Sequence, residues 1–180
     1  MSDKYDQRAS DWRFTSVAEF ESQLDPKFHS YGIRLFLFQS QSVSVAAYVL
    51  FNGLGVGGGL KFNLNNETIK FGLHSLESLA KPSIGSEVKI SLPRGNVPHS
   101  TLEKLTISRA FSLSELNACS GTLASVGVGL GAGVGAFSAS AVRNGETLFN
   151  CSRLGLEFGH LGASATNLRG NWHVVHAWHL

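Results

Sequence analysis

Ser120-Gly-Thr-Leu-Ala-Ser-Val-Gly-Val-Gly-Leu-Gly-Ala-Gly-Val-Gly-Ala-Phe-Ser-Ala-Ser-Ala-Val142 is the stretch on which the fold turns. Glycine stands at 127, 129, 131, 133 and 135, with Val128, Leu130, Ala132 and Val134 between. With Cys119 included, the run 119–142 holds 24 residues and no charge, long enough to cross a bilayer as a helix. Gly127, Gly131 and Gly135 would then lie four apart, the small-residue spacing of packed membrane helices. Two arguments favour a strand. Six glycines would cost a helix about 5–6 kcal/mol relative to alanine. A period of two is the period of a strand and serves no purpose in a helix. Glycine also weakens a strand, so the pattern predicts that something comes close on the glycine face, such as another backbone or an aromatic ring. The aliphatic residues between the glycines are expected to fill the other side.

A second glycine-alternating run, Gly53-Leu-Gly-Val-Gly-Gly-Gly59, leads to Asn66-Glu-Thr-Ile-Lys-Phe71. The later run leads in the same way to Asn144-Gly-Glu-Thr-Leu-Phe149. The parallel suggests two duplicated β units, about 30–92 and 103–180. Gly53 to Gly58 also fits G-x-G-x-x-G, but a dinucleotide site needs a helix to follow, and Leu60-Lys-Phe-Asn-Leu64 reads as more strand.

Ser16-Val-Ala-Glu19 has the form of a capping box, with Val17, Phe20 and Leu24 at helical spacing. It predicts a short helix over about 16–24. Residues 1–14 read as a flexible lead anchored by Trp12, and 15–180 as one domain. Ile33–Phe38, Val43–Phe51, Glu67–Phe71, Glu87–Leu92 and Lys104–Ser108 read as strands. Glu146–Phe149, Leu154–Phe158 and Trp172–Trp178 read as three more. His74–Lys81 and Ser112–Asn117 suggest helical turns, and Arg143-Asn-Gly145 is a hairpin signal. The expected fold is mainly β, a compact antiparallel barrel or sandwich with one or two short helices. Closure would remove edges that such uncharged strands could not safely expose.

Composition narrows the functional classes. The chain has 180 residues, 16% of them charged, with a formal net charge of +2 and no basic cluster, which argues against nucleic acid. The polar start shows no apolar signal region, so a cytoplasmic location or export without a signal peptide is expected. Cys119 and Cys151 could pair across strands, although two reduced core thiols are the simpler reading. His173, His176 and His179 are too spread along a strand to chelate together. Cys151 with His160 is the one conceivable nucleophile pair, and it would belong to a hydrolase assembled from distant strands. No catalytic, cofactor or metal set is assigned, and the protein is expected not to be an enzyme.

The glycine strand Gly127–Gly135, the hairpin turn and Gly170-Asn-Trp172 resemble the virulence-associated Vap proteins of actinobacteria. The resemblance implies a compact eight-stranded barrel of two similar β units and a secreted host-interaction role, with no catalytic residues to carry over. The preferred reading is therefore a non-catalytic interaction protein, effector-like or toxin-associated. The alternative is a lipid-binding or pore-forming protein that inserts 119–142. Candidate contacts with a protein or lipid partner are Val128, Leu130, Val134, Phe137, Trp172 and Trp178.

Overall fold

The computed structural model describes residues 5–23, 29–58, 61–64 and 97–180. Ser120 to Arg143 forms one strand of 24 residues, β7. Asn144 and Gly145, at φ of 53° and 81°, turn the chain back into β8, which runs from Glu146 to His179. These two positive angles are those of the tight hairpin turn that an Asn-Gly pair selects. The three separate strands expected beyond the turn are thus one. The interruption expected after Phe149 is a continuous ladder instead, with register slips at Leu130/Ala132 and Ala141/Val142. Such slips bend a strand without ending it.

Before the hairpin come β1 (Arg13–Gln23), β2 (His29–Ser40), β3 (Val45–Gly58) and β4 (Lys61–Leu64). Two short strands follow a single 3-10 turn at His99–Thr101: β5 (Glu103–Lys104) and β6 (Thr106–Ile107). The expected helix over 16–24 is a strand. Phe14 is buried against Phe36 and Phe38, and β1 pairs with β2 from Arg13↔Gln39 to Gln23↔Ser30. Val17 packs on the face opposite Phe14, as alternation places it, and the ladder slips between Ser16 and Ala18. Sheet pairing and the burial of Phe14 outweigh a local capping signature that is worth only about 1 kcal/mol.

All pairings are antiparallel and nearly close on themselves. The first limb of β7 (120–130) pairs with β8 at 161–171, and β8 at 165–179 pairs with β3. β3 pairs with β2, β2 with β1, and β1 with β5. β6 then pairs with β8 at Phe149 and Asn150, and that part of β8 carries the second limb of β7 (132–143). β4 bridges β1 and His160 of β8. The circuit therefore starts and finishes on two limbs of the same strand. Among the described residues it is a nearly closed barrel whose seam lies within β7.

The interior is aromatic. Trp172 sits 5.0 Å from Phe51 and 5.4 Å from both Phe36 and Phe149, ring centre to ring centre. Its indole N–H donates to the Ser140 carbonyl, and that of Trp12 donates to Phe111, so neither ring buries an unmet donor. A second cluster covers the other face of β2 and β3: Ile33, Leu35, Leu37, Ala46, Tyr48 and Leu50, packed with Val17, Val97 and Trp178. Burial on both faces explains why Ile33–Phe38 reads as an almost unbroken apolar run.

Ser112 caps a single helical turn, α1 (Leu113–Leu116). Its hydroxyl accepts from the Glu115 amide, and the Glu115 side chain accepts from the Ser112 amide. Residues 5–14 have several anchors besides Trp12. Tyr5 donates to the Ala177 carbonyl, Arg8 bonds Glu115, and Ala9 bridges Phe111. Asp11 accepts from the Gln41 and Ser42 amides and the Ser40 and Ser42 hydroxyls, which clamps the turn between β2 and β3. The expected helix at His74–Lys81, the strands at 67–71 and 87–92, and the Asn66–Phe71 part of the first repeat lie outside the described residues.

Candidate interaction surface

Alternation along β3 and β7 sorts the side chains of the glycine-rich end into two populations. On β3, Gly53 is buried while Leu54 and Val56 are each 59% exposed. On β7, Gly127 and Gly135 are buried while Val126 and Val134 are 54% and 57% exposed. The inner positions between them are small or polar: Ser125 and Thr166 are buried and hydrogen-bond each other at 2.8 Å. Arg34 is 3% exposed, and its guanidinium lies over the Phe137 ring at 5.1 Å. This inverts the usual arrangement of a soluble barrel, in which aliphatic side chains fill the inside. The Leu and Val residues lie on the outer side of the sheet and remain open to solvent.

The inward glycines are a packing requirement. Gly53, Gly170 and Gly121 form one row across β3, β8 and β7. A Cβ on Gly170 would stand 1.7 Å from the Asn52 carbonyl oxygen, and one on Gly121 would stand 2.2 Å from that of Ser140 and 2.3 Å from Nε1 of Trp172. Gly55, in the alternating run on β3, is as tight: a Cβ there would stand 1.8 Å from the Asn167 carbonyl oxygen, the close backbone approach that the alternation predicts.

Of the residues singled out in the sequence, Val134 is on the outer surface, whereas Phe137 and Trp172 are interior, at 5% and 1% exposure. Both belong to the aromatic core, so neither reaches an outside partner. Trp178 packs on the outer face against Tyr48 at 5.2 Å and is partly exposed. Trp172 and Trp178 share a parity in the sequence yet face opposite ways. The slip between Tyr48 and Val49 in the β3–β8 ladder, at Val174 and His176, flips the strand between them. Val128 and Leu130 continue the ladder opposite Ala163 and Leu161. Leu54, Val56 and Val126 were missed because the sequence does not show which face of an alternating strand is covered.

Both thiols are free and buried. Burial pushes the Cys151 thiol up to about 12, away from the thiolate that attack requires. Burial also raises the Cys119 thiol, which donates to the Glu115 carbonyl. His176 stacks on Trp178 and His179 on Tyr5. Among the described residues no group of three metal-binding side chains forms, and no helix is long and apolar enough to cross a membrane. Comparison with protein-family models, with curated proteins and with solved structures finds no match to this chain.

Proposed function

We propose that this is a non-catalytic interaction protein that works through the outer surface of its barrel at the glycine-rich end. The observation that carries the reading is the inverted alternation, with Leu54, Val56, Val126 and Val134 outside and glycine, Ser125 and Thr166 inside. Exposed aliphatic side chains grouped on one end of a barrel mark a contact surface. A host-directed, effector-like role, of the kind the Vap resemblance implies, is the biological form of this proposal.

One feature favours lipid as the surface contacted. The strand that presents Val126 and Val134 carries no charge from Ser120 to Val142, and the exposed Arg169 of β8, set between Leu54 and Thr122, has a side chain long enough to keep its charge among lipid headgroups. Burying side chains of this size contributes about 1.5–3 kcal/mol each when complete, enough in sum for reversible surface binding. The experiment is flotation with vesicles of phosphatidylcholine and phosphatidylglycerol, at neutral and at mildly acidic pH. The protein is expected to float, and the V126D/V134D variant to stay with the free fraction while keeping its β-sheet circular dichroism. Wild-type protein that fails to float at either pH removes the lipid reading. Flotation that survives V126D/V134D removes this surface as the contact.

A further inference from the structure

The end of the barrel away from the glycine-rich strands has a small cavity of its own. Arg13 pairs with Gln39 beside the β2–β3 turn, whereas the glycine-rich end of β3 pairs with His29. Asp11, Trp12 and Arg13 at the start of β1, His99 of the 3-10 turn, and Lys104 and Leu105 line a space of about 320 Å³. Arg13 and Lys104 stand directly opposite each other in the β1–β5 ladder. Like charges so placed oppose the pairing of their strands. Nη1 of Arg13 donates to the His99 and Leu102 carbonyls, which holds the guanidinium at the cavity and leaves its other N–H groups over. Among the described residues, Nε2 of His99 is buried with no hydrogen-bond partner, which costs stability until something fills the place. Among the same residues no carboxylate pairs with Arg13 or Lys104. Both oxygens of Asp11 are taken by Ser40, Gln41 and Ser42. Glu103 alternates to the other face of β5 and pairs with Arg153.

We propose that this cavity binds a phosphate group, carried on a small soluble molecule or on a lipid headgroup. Arg13 offers a planar fork of donors, Lys104 a point charge on a flexible stem, and His99 a ring N–H when its proton sits on Nε2. These donors come from three separate places in the chain, β1, the 3-10 turn and β5. A tetrahedral phosphate has an oxygen for each of them, while a planar carboxylate has two to divide among three. The bound anion removes the repulsion between Arg13 and Lys104 and gives Nε2 of His99 its missing partner. The cavity is at the small end of the range of about 300–1,000 Å³ found for ligand pockets, so the group that carries the phosphate is small. The proposal is independent of the contact surface at the glycine-rich end, which uses other residues.

Titration with inorganic phosphate tests it, followed by proton–nitrogen NMR on the full chain at constant pH and ionic strength. The Trp12 indole and His99 amide signals are expected to move and then saturate, and not to move with sodium chloride. Lys104 is exposed, so K104Q should keep the sheet by circular dichroism while it weakens phosphate binding about tenfold or more. K104R, which keeps the charge, should retain binding. Shifts that rise without saturating and are matched by chloride overturn the proposal. So does a K104Q variant that binds phosphate as tightly as the wild type. Flotation with phosphatidylglycerol vesicles separates the two carriers once phosphate binding is seen. Flotation lost in K104Q and restored in K104R assigns the phosphate to a lipid headgroup. Flotation that is absent, or unchanged in K104Q, assigns it to a soluble molecule.

Discussion

At Gly170 the backbone of β8 lies against β3 so closely that a methyl group has no space: its carbon would stand 1.7 Å from the Asn52 carbonyl. The obstacle is backbone, which cannot rotate aside, so Gly170→Ala is expected to destabilise by about 3 kcal/mol or more, read as a lowered urea midpoint. Asp11 makes a different residue-scale prediction. Partial burial pushes its carboxyl up, but the hydrogen bonds from Ser40 and Ser42 outweigh this and hold it at about 2, below its ordinary 3.8. Because the folded value is depressed, the stabilisation is complete above 3.8 and is lost as pH falls toward about 2. Asp11→Asn should cost about 1 kcal/mol at neutral pH and flatten the acid side of the stability–pH curve over that interval, measured by denaturant titration. Of the glycine row only Gly53 was legible, because it belongs to an alternating run; Gly121 and Gly170 stand outside the alternating runs, and the pairing of β3, β8 and β7 is what brings them together. The Asp11 clamp was not legible, because its partners are brought to it by the turn after β2.

At the scale of elements the long hairpin is the organising piece, and its turn was readable from Arg143-Asn-Gly145. Gly145 sits at φ 81° with nothing within 4 Å of an added Cβ, so only backbone preference opposes a side chain there. Gly145→Ala is therefore expected to cost about 1 kcal/mol, well below Gly170→Ala, with no change in the fold by circular dichroism. The one helical turn at Ser112–Asn117 was also visible, because Ser112 and Glu115 satisfy each other locally. What misled the reading of β1 was a cap of the same kind. Ser16 and Glu19 are spaced for a capping box, but Phe14 has an aromatic core to enter and β2 to pair with. The register slips in β1, β3–β8 and β7 left no sequence mark, and the one in β3–β8 turns Trp172 and Trp178 to opposite faces. Of the six proposed contacts, Phe137 and Trp172 are interior while Val134 is exposed and Trp178 partly so.

For the whole molecule, periodicity narrowed the fold to a barrel or sandwich but not which side of it faces solvent. The structure supplies that side, and the role proposed for Val126 and Val134 rests on it. Both are outside the core, so V126D/V134D should shift stability by less than about 0.5 kcal/mol even as it abolishes flotation. The barrel also has an unusual order of closure. Val45 at the start of β3 pairs with His179, and Gly58 with Ala165. During synthesis on the ribosome β3 is exposed long before its neighbour exists, and the aromatic centre lacks Trp172 until the same late moment. High contact order of this kind slows folding and lengthens the time for which a sticky strand stands open. The nascent chain is accordingly expected to gain from holding chaperones, and its soluble yield in a recombinant host should improve when translation is followed by slow, cool maturation.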